Sequence, residues 1–80
     1  MAKEHMVIVY STEWCPWCHK AKDWLSKNKI KYELRDPEKD SKYAGELAQK
    51  SGQMGIPVID IDGNIIVGYN EAAMKKYLGL

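Results

Sequence analysis

Met6-Val7-Ile8-Val9-Tyr10-Ser11-Thr12-Glu13-Trp14-Cys15-Pro16-Trp17-Cys18 is the stretch from which the rest of the chain can be placed. Its first five residues are mostly β-branched and apolar, as in a short buried strand, and Ser11-Thr12 leads out of it into a loop. From His19 to Asn28, Ala21, Trp24 and Leu25 recur at helical spacing among Lys20, Lys22, Asp23 and Lys27. That periodicity predicts one amphipathic helix packed on a sheet. Both cysteines therefore fall where a strand hands over to a helix, with Cys15 at or just before the helix N-terminus.

Further along, Lys31 to Arg35 alternates with Tyr32 and Leu34 on one face, a second strand that Asp36-Pro37 ends. Tyr43, Ala44, Leu47 and Ala48 mark a second helix face, opened by Asp40 or Ser41 as N-cap and closed near Gly52. Ile56 to Ile61 and Ile65 to Val67 are apolar runs joined by Asp62-Gly63-Asn64, and the Asp-Gly step is a strong hairpin signal. A third helix, capped by Asn70, turns Ala73, Met74, Tyr77 and Leu78 inward before Gly79 stops it. The predicted order is βαβαββα, an α/β chain with a four-stranded mixed sheet flanked by three helices. The first two strands run parallel, the last two form an antiparallel hairpin, and helices cover both faces.

Eighty residues leave room for one domain, so residues 1–80 are read as a single cooperative unit without repeats or linkers. Hydrophobic residues at 45% and charged residues at 29% describe a folded globular chain rather than a disordered one. Twelve basic residues oppose eleven acidic ones, and no basic stripe or acidic tail points to nucleic acid. Met6 to Tyr10 is too short for a signal-peptide core or a membrane span, so the expectation is a cytoplasmic protein without a membrane partner; a monomer is expected.

Only two cysteines are present, three positions apart, and a disulfide closing so short a loop contributes little to stability. Chemistry explains the pair better. A C-x-x-C at the head of a helix inside a βαβ pattern is a redox arrangement, because a thiolate is the attacking species and a helix N-terminus carries partial positive charge. Cys15 is expected to be the more acidic, attacking thiol. Cys18, one turn into the helix, is expected to be buried and to resolve the mixed disulfide. Pro16 suits the first helical turn, where its missing N–H costs nothing. Trp17 is placed to cover the motif, Trp14 flanks Cys15 in the loop, and Trp24 reads as core.

Cys15-Pro16-Trp17-Cys18, Gly55-Ile56-Pro57-Val58 and Gly68-Tyr69-Asn70-Glu71 together resemble the glutaredoxin family, over nearly the whole chain from Val7 to Leu80. The resemblance implies a thioredoxin-like fold and a thiol-disulfide oxidoreductase acting on protein disulfides or glutathione mixed disulfides. It further implies that Pro57 is cis and lies beside Cys15, and that the backbone of Ile56 pairs with an extended substrate. The loop Gly68, Tyr69, Asn70 and Glu71 would receive a carboxylate of glutathione at the start of the last helix. Trp14, Pro16 and Trp17 complete the set of substrate contacts, no cofactor is bound, and glutathione serves as reductant or co-substrate.

Three positions depart from the usual family pattern. Tyr69 replaces the second glycine of a pair, Gly55 replaces a threonine, and Thr12 stands where lysine is common. Similar departures occur in glutaredoxin-like redoxins that draw electrons from thioredoxin reductase, so either glutathione or that enzyme is the expected electron source. Other chemistries fit less well. Cys15 to His19 matches the C-x-x-C-H of haem attachment, but without an export signal. Zinc would need His5 and His19 at a spacing the chain lacks. An iron–sulfur cluster shared between two glutaredoxin-like subunits is the alternative, and Pro16 resembles the dithiol members more than the cluster carriers. Asp60, Asp62, Lys42 and the Lys75-Lys76 pair read as solvated or turn residues.

Overall fold

Val7–Tyr10 forms the first strand, β1, in the computed structural model, which describes residues 5–80. It is followed by α1 (Pro16–Lys27), β2 (Glu33–Arg35), α2 (Ser41–Ser51), β3 (Val58–Ile61), β4 (Asn64–Val67) and α3 (Glu71–Leu78). The strands form one sheet in the order β2-β1-β3-β4. β1 runs parallel to β2, with Val9 opposite Leu34, and antiparallel to β3, with Val9 opposite Ile59. β3 and β4 are antiparallel, as the hairpin signal requires.

Alternation along β1 and β3 explains why helices lie on both faces. Val7, Val9, Ile59 and Ile61 point to one side, where they pack with Ala21 and Leu25 of α1 and with Met74 and Leu78 of α3. Tyr10 and Val58 point to the other and meet Leu47 of α2, with Ile8 and Ile65 at the margin. Two separate cores thus sandwich one sheet, and β1 contributes to both.

The termini of the elements follow local chemistry. Asp40 rather than Ser41 caps α2, its carboxylate accepting from the Lys42 amide at 2.9 Å. The hairpin turn is the two residues Asp62 and Gly63, both at positive φ (53° and 90°), rather than the three residues Asp62 to Asn64. Such a turn matches the twist of the strands and selects glycine at its second position.

Four sequence boundaries move. β1 begins at Val7, since Met6 is largely exposed. α1 begins at Pro16, as the reading of Cys15 and Pro16 requires, whereas β4 opens one residue early, at Asn64. β3 begins at Val58, just after Pro57. β2 is only three residues long, and Leu34 is 51% exposed because β2 is an edge strand with no helix over its outer flank, although Tyr32 does pack on the α1 core.

Asp60 is a clear correction to the surface reading. It is buried within β3, where it takes an ion pair from Lys50 at 2.8 Å and a hydrogen bond from the Gly63 amide at 2.8 Å. On the same side of the sheet Tyr10 donates to Glu46 Oε1 at 2.9 Å, and Arg35 Nη1 reaches the same oxygen at 2.5 Å. These polar groups tie α2 to the sheet around a small apolar core. The Tyr10 hydrogen bond holds the Glu46 carboxyl below the ordinary 4.5, with Arg35 adding to it and desolvation opposing. A carboxyl depressed on folding contributes stability above its unfolded pKa and loses it as pH falls through the folded value. Glu46→Gln is therefore expected to flatten the decline in urea midpoint below about pH 4.5; an acid limb identical to the parent's would exclude this role.

Candidate functional site

Cys15 occupies the N-cap of α1 because Pro16 cannot donate a backbone hydrogen bond and so opens the helix immediately after it. At that position a side-chain acceptor meets the free amides of the first turn, and the Cys18 N–H points at Cys15 Sγ from 3.2 Å. Sulfur here takes the role that a serine or aspartate oxygen plays at other helix starts. An amide donor and the positive end of the helix dipole are both placed to stabilise negative charge on this sulfur.

Cys18 sits one turn further in and is 0% exposed, against 5% for Cys15. Burial pushes its thiol up to about 12, the hydrogen bond with Cys15 adds to the rise, and a hydrogen bond from the Thr12 backbone works the other way. Both thiols are free. The pair is thus asymmetric: one sulfur is at the helix mouth, and the other is enclosed and holds its proton firmly. Ser11 and Thr12, which lead from β1 to the motif, are also buried, so the loop that carries Cys15 is anchored at its start.

The rest of that loop is tied down from outside. His19 Nε2 donates to the Glu13 carbonyl at 2.5 Å, and Glu13 pairs with Lys39 at 2.7 Å. Trp14, 66% exposed, gives its indole N–H to the Glu38 carboxylate at 3.0 and 3.1 Å. The Lys39 pairing draws the Glu13 carboxyl down. A charge that the sequence sets close to Cys15 is therefore offset by a partner from the turn before α2.

A cleft of about 270 Å3 opens next to the motif, lined by Trp17, Ile56, Pro57, Gly68 and Tyr69. The Ile56-Pro57 peptide is cis. Pro57 accepts the Gly68 amide at 2.8 Å through its carbonyl, which binds the segment before β3 to the loop after β4. Gly68 adopts φ 83°, a left-handed conformation that side chains disfavour, and this reversal delivers Tyr69 over the cleft. There the Tyr69 ring stacks on Trp17, centroids 6.1 Å apart and planes at 29°.

Among the residues that the sequence singles out, Trp17, Ile56, Pro57, Gly68 and Tyr69 come together in this cleft, beside the helix end that holds Cys15, Pro16 and Cys18. Trp14 does not line it and faces Glu38 instead. Asn70 uses its side chain to cap α3, accepting from the Ala73 amide at 3.0 Å, and Glu71 pairs with Lys75 at 3.4 Å. Lys20 was missed: its ammonium stands 5.0 Å from the Trp17 centroid and 5.8 Å from that of Tyr69. The only signal for it in the sequence is its place three residues after Trp17 on one helix face.

Among the described residues no group of three or more histidine, cysteine or carboxylate side chains could hold a metal ion, and no helix is long and apolar enough to cross a membrane.

Comparison with known proteins agrees with this geometry. The glutaredoxin family profile matches residues 7–66. A glutaredoxin-like 8.6 kDa protein of the rubredoxin operon of Clostridium pasteurianum is 44% identical over 73 residues, 91% of this chain and 97% of that protein. Glutaredoxin 3 of Escherichia coli K12 is 31% identical over 65 residues, 81% of this chain and 78% of its own. Among solved structures, a thioredoxin-like protein superposes with a TM-score of 0.84 at 28% identity, covering 90% of this chain and 99% of that one. The Archaeoglobus fulgidus glutaredoxin superposes with a TM-score of 0.83 at 23% identity, over 90% of this chain and 84% of its own, a likeness of fold.

Proposed function

The chain belongs to the glutaredoxin family, a family of thiol redox proteins with the thioredoxin-like fold, and from this we propose that it reduces disulfides through Cys15 and Cys18. The observation that carries the reading is the asymmetry of the two sulfurs: Cys15 Sγ at the α1 N-cap with a donor 3.2 Å away, Cys18 fully buried with its thiol raised.

In the proposed cycle the Cys15 thiolate attacks one sulfur of a substrate disulfide, forming a Cys15–substrate disulfide and releasing the other substrate sulfur as a thiolate that takes a proton. Cys18 then gives up its proton and attacks Cys15 Sγ. The second substrate thiol leaves, and the chain retains a Cys15–Cys18 disulfide. Two electrons from glutathione or from a thioredoxin reductase restore both thiols. The raised Cys18 thiol favours this order, since it stays protonated until Cys15 has become the electrophile.

The cleft supplies the place for substrate. Ile56, just ahead of the sheet, offers backbone to an extended chain lying across Pro57, while Trp17 and Tyr69 form an apolar wall. The backbone amides of the loop Gly68, Tyr69, Asn70 and Glu71 at the start of α3 are assigned to a carboxylate of the substrate, and Pro16 to the helix end beside the cleft, while Trp14 is left to its contact with Glu38. We read residues 1–80 as one domain acting as a single copy in the cytoplasm; residues 1–4 lie outside the described part.

The deciding experiment is NADPH oxidation with a glutathione mixed disulfide and with a protein disulfide, fed through glutathione and its reductase or through thioredoxin reductase. Turnover in either system is expected, and the system that turns over names the donor. No turnover in any arm, or a chain that purifies with the visible absorbance of an iron–sulfur cluster, would overturn the reading.

A further inference from the structure

Among the described residues Lys20 is the charged group set over the aromatic wall of the cleft, and we propose that it selects substrates carrying a carboxylate close to the sulfur under attack. The inference rests on the reductase reading and adds to it the chemistry of the preferred substrate.

Three observations support it. First, the ammonium is placed rather than loose: it lies 5.0 Å from the Trp17 ring centroid and 5.8 Å from Tyr69, two rings that also stack on each other. A cation over two ring faces is held by their quadrupoles and loses less freedom when it meets an anion. Second, its charge is uncompensated. Among the described residues Lys20 has no ion pair, the cleft lining of Trp17, Ile56, Pro57, Gly68 and Tyr69 contains no acid, and the first turn of α1 has none. Glu71, two residues beyond Tyr69, is engaged by Lys75 at 3.4 Å.

Third, the reach is right. Lys20 follows Cys15 by five residues on one helix, so their backbones are about 7 to 8 Å apart along the axis, a distance that an extended chain covers in two or three residues. A substrate lying over Pro57 with its half-cystine at Cys15 would bring an acidic side chain one to three positions away to the ammonium. An acidic protein segment is the source to which we commit. Glutathione carries carboxylates of the same chemistry and is kept apart in the test.

The test compares two peptide mixed disulfides that differ only in Glu or Gln two residues from the half-cystine, with a glutathione mixed disulfide as a third substrate. For an exposed pair the expected preference for Glu over Gln is about two- to fivefold in kcat/KM at low salt. It should fall towards parity at about 0.5 M salt, where the screening length is only a few ångströms. In Lys20→Gln the Glu-to-Gln ratio should become one, and in Lys20→Glu it should invert. Lys27→Gln, an exposed change at the far end of α1, should leave the ratio as in the parent.

A loss in Lys20→Gln confined to the glutathione arm would overturn the assignment to a protein segment. A wild-type ratio of one, or a ratio that Lys20→Gln does not alter, would overturn the role of Lys20 itself. Failure to reduce any of the three substrates would instead sink the reductase reading, so the two ideas fail in different ways.

Discussion

Cys15→Ser is expected to lower disulfide reduction by at least about a thousandfold, to the level of uncatalysed exchange, with every substrate and every electron donor. A serine hydroxyl can fill the N-cap and accept the Cys18 amide as sulfur does, so the helix should form normally. What it lacks is a soft anion at neutral pH. Loss of activity with an unchanged circular dichroism spectrum would therefore locate the defect in chemistry alone. The companion Cys18→Ser separates the two halves of the cycle. It should stop turnover on internal protein disulfides, since the Cys15 adduct has nothing to resolve it, while glutathione mixed disulfides, which an external thiol can resolve, still turn over. Full activity in Cys15→Ser would reverse the assignment of roles.

Leu25→Ala should produce the largest effect on stability. Leu25 is 0% exposed and packs in the layer shared by α1, α3 and the sheet. Removing its branched end forfeits transfer free energy and leaves a cavity, a cost of about 2–5 kcal/mol. For a domain of this size each kcal/mol lowers Tm by about 4–8 °C, so thermal unfolding should shift down by at least about 10 °C. A shift below about 3 °C would mean that the layer relaxes around the gap and that α1 is held mainly by other contacts. The mutation also bears on the site, because the helix that presents both sulfurs is seated by this side chain.

Much of this arrangement can be read without coordinates because local chemistry dictates it. A β-branched run before a Cys-Pro pair, helical spacing after it, and an Asp-Gly step between two apolar runs each have one economical solution, and all three are found. Cys15 and Cys18 could be placed at the head of α1 for the same reason: a helix start is a local event. The legible features end where side chains meet across the sheet. Leu34 alternates like a core residue but lies on an edge strand, and which strand is the edge depends on the order β2-β1-β3-β4. Asp60 looks like a turn residue three positions before Gly63, yet Lys50 from α2 and the Gly63 amide allow it to be buried. Lys20 is one of several lysines on α1. Only the return of Tyr69, 49 positions away in the chain, sets it apart.

The contrast in burial across the site has an evolutionary consequence. Cys18 and Pro57 are enclosed and cannot be altered without disturbing the interior. Trp17 is 57% exposed, and Lys20 is exposed beside it, so neither is needed to fill a core. Replacements there sit where most surface substitutions cost little stability. On the proposed function, selection could therefore retune which disulfides the protein acts on while the two cysteines stay constant, and a gene copy could drift to a new client through one or two codon changes without first passing through an unfolded ancestor.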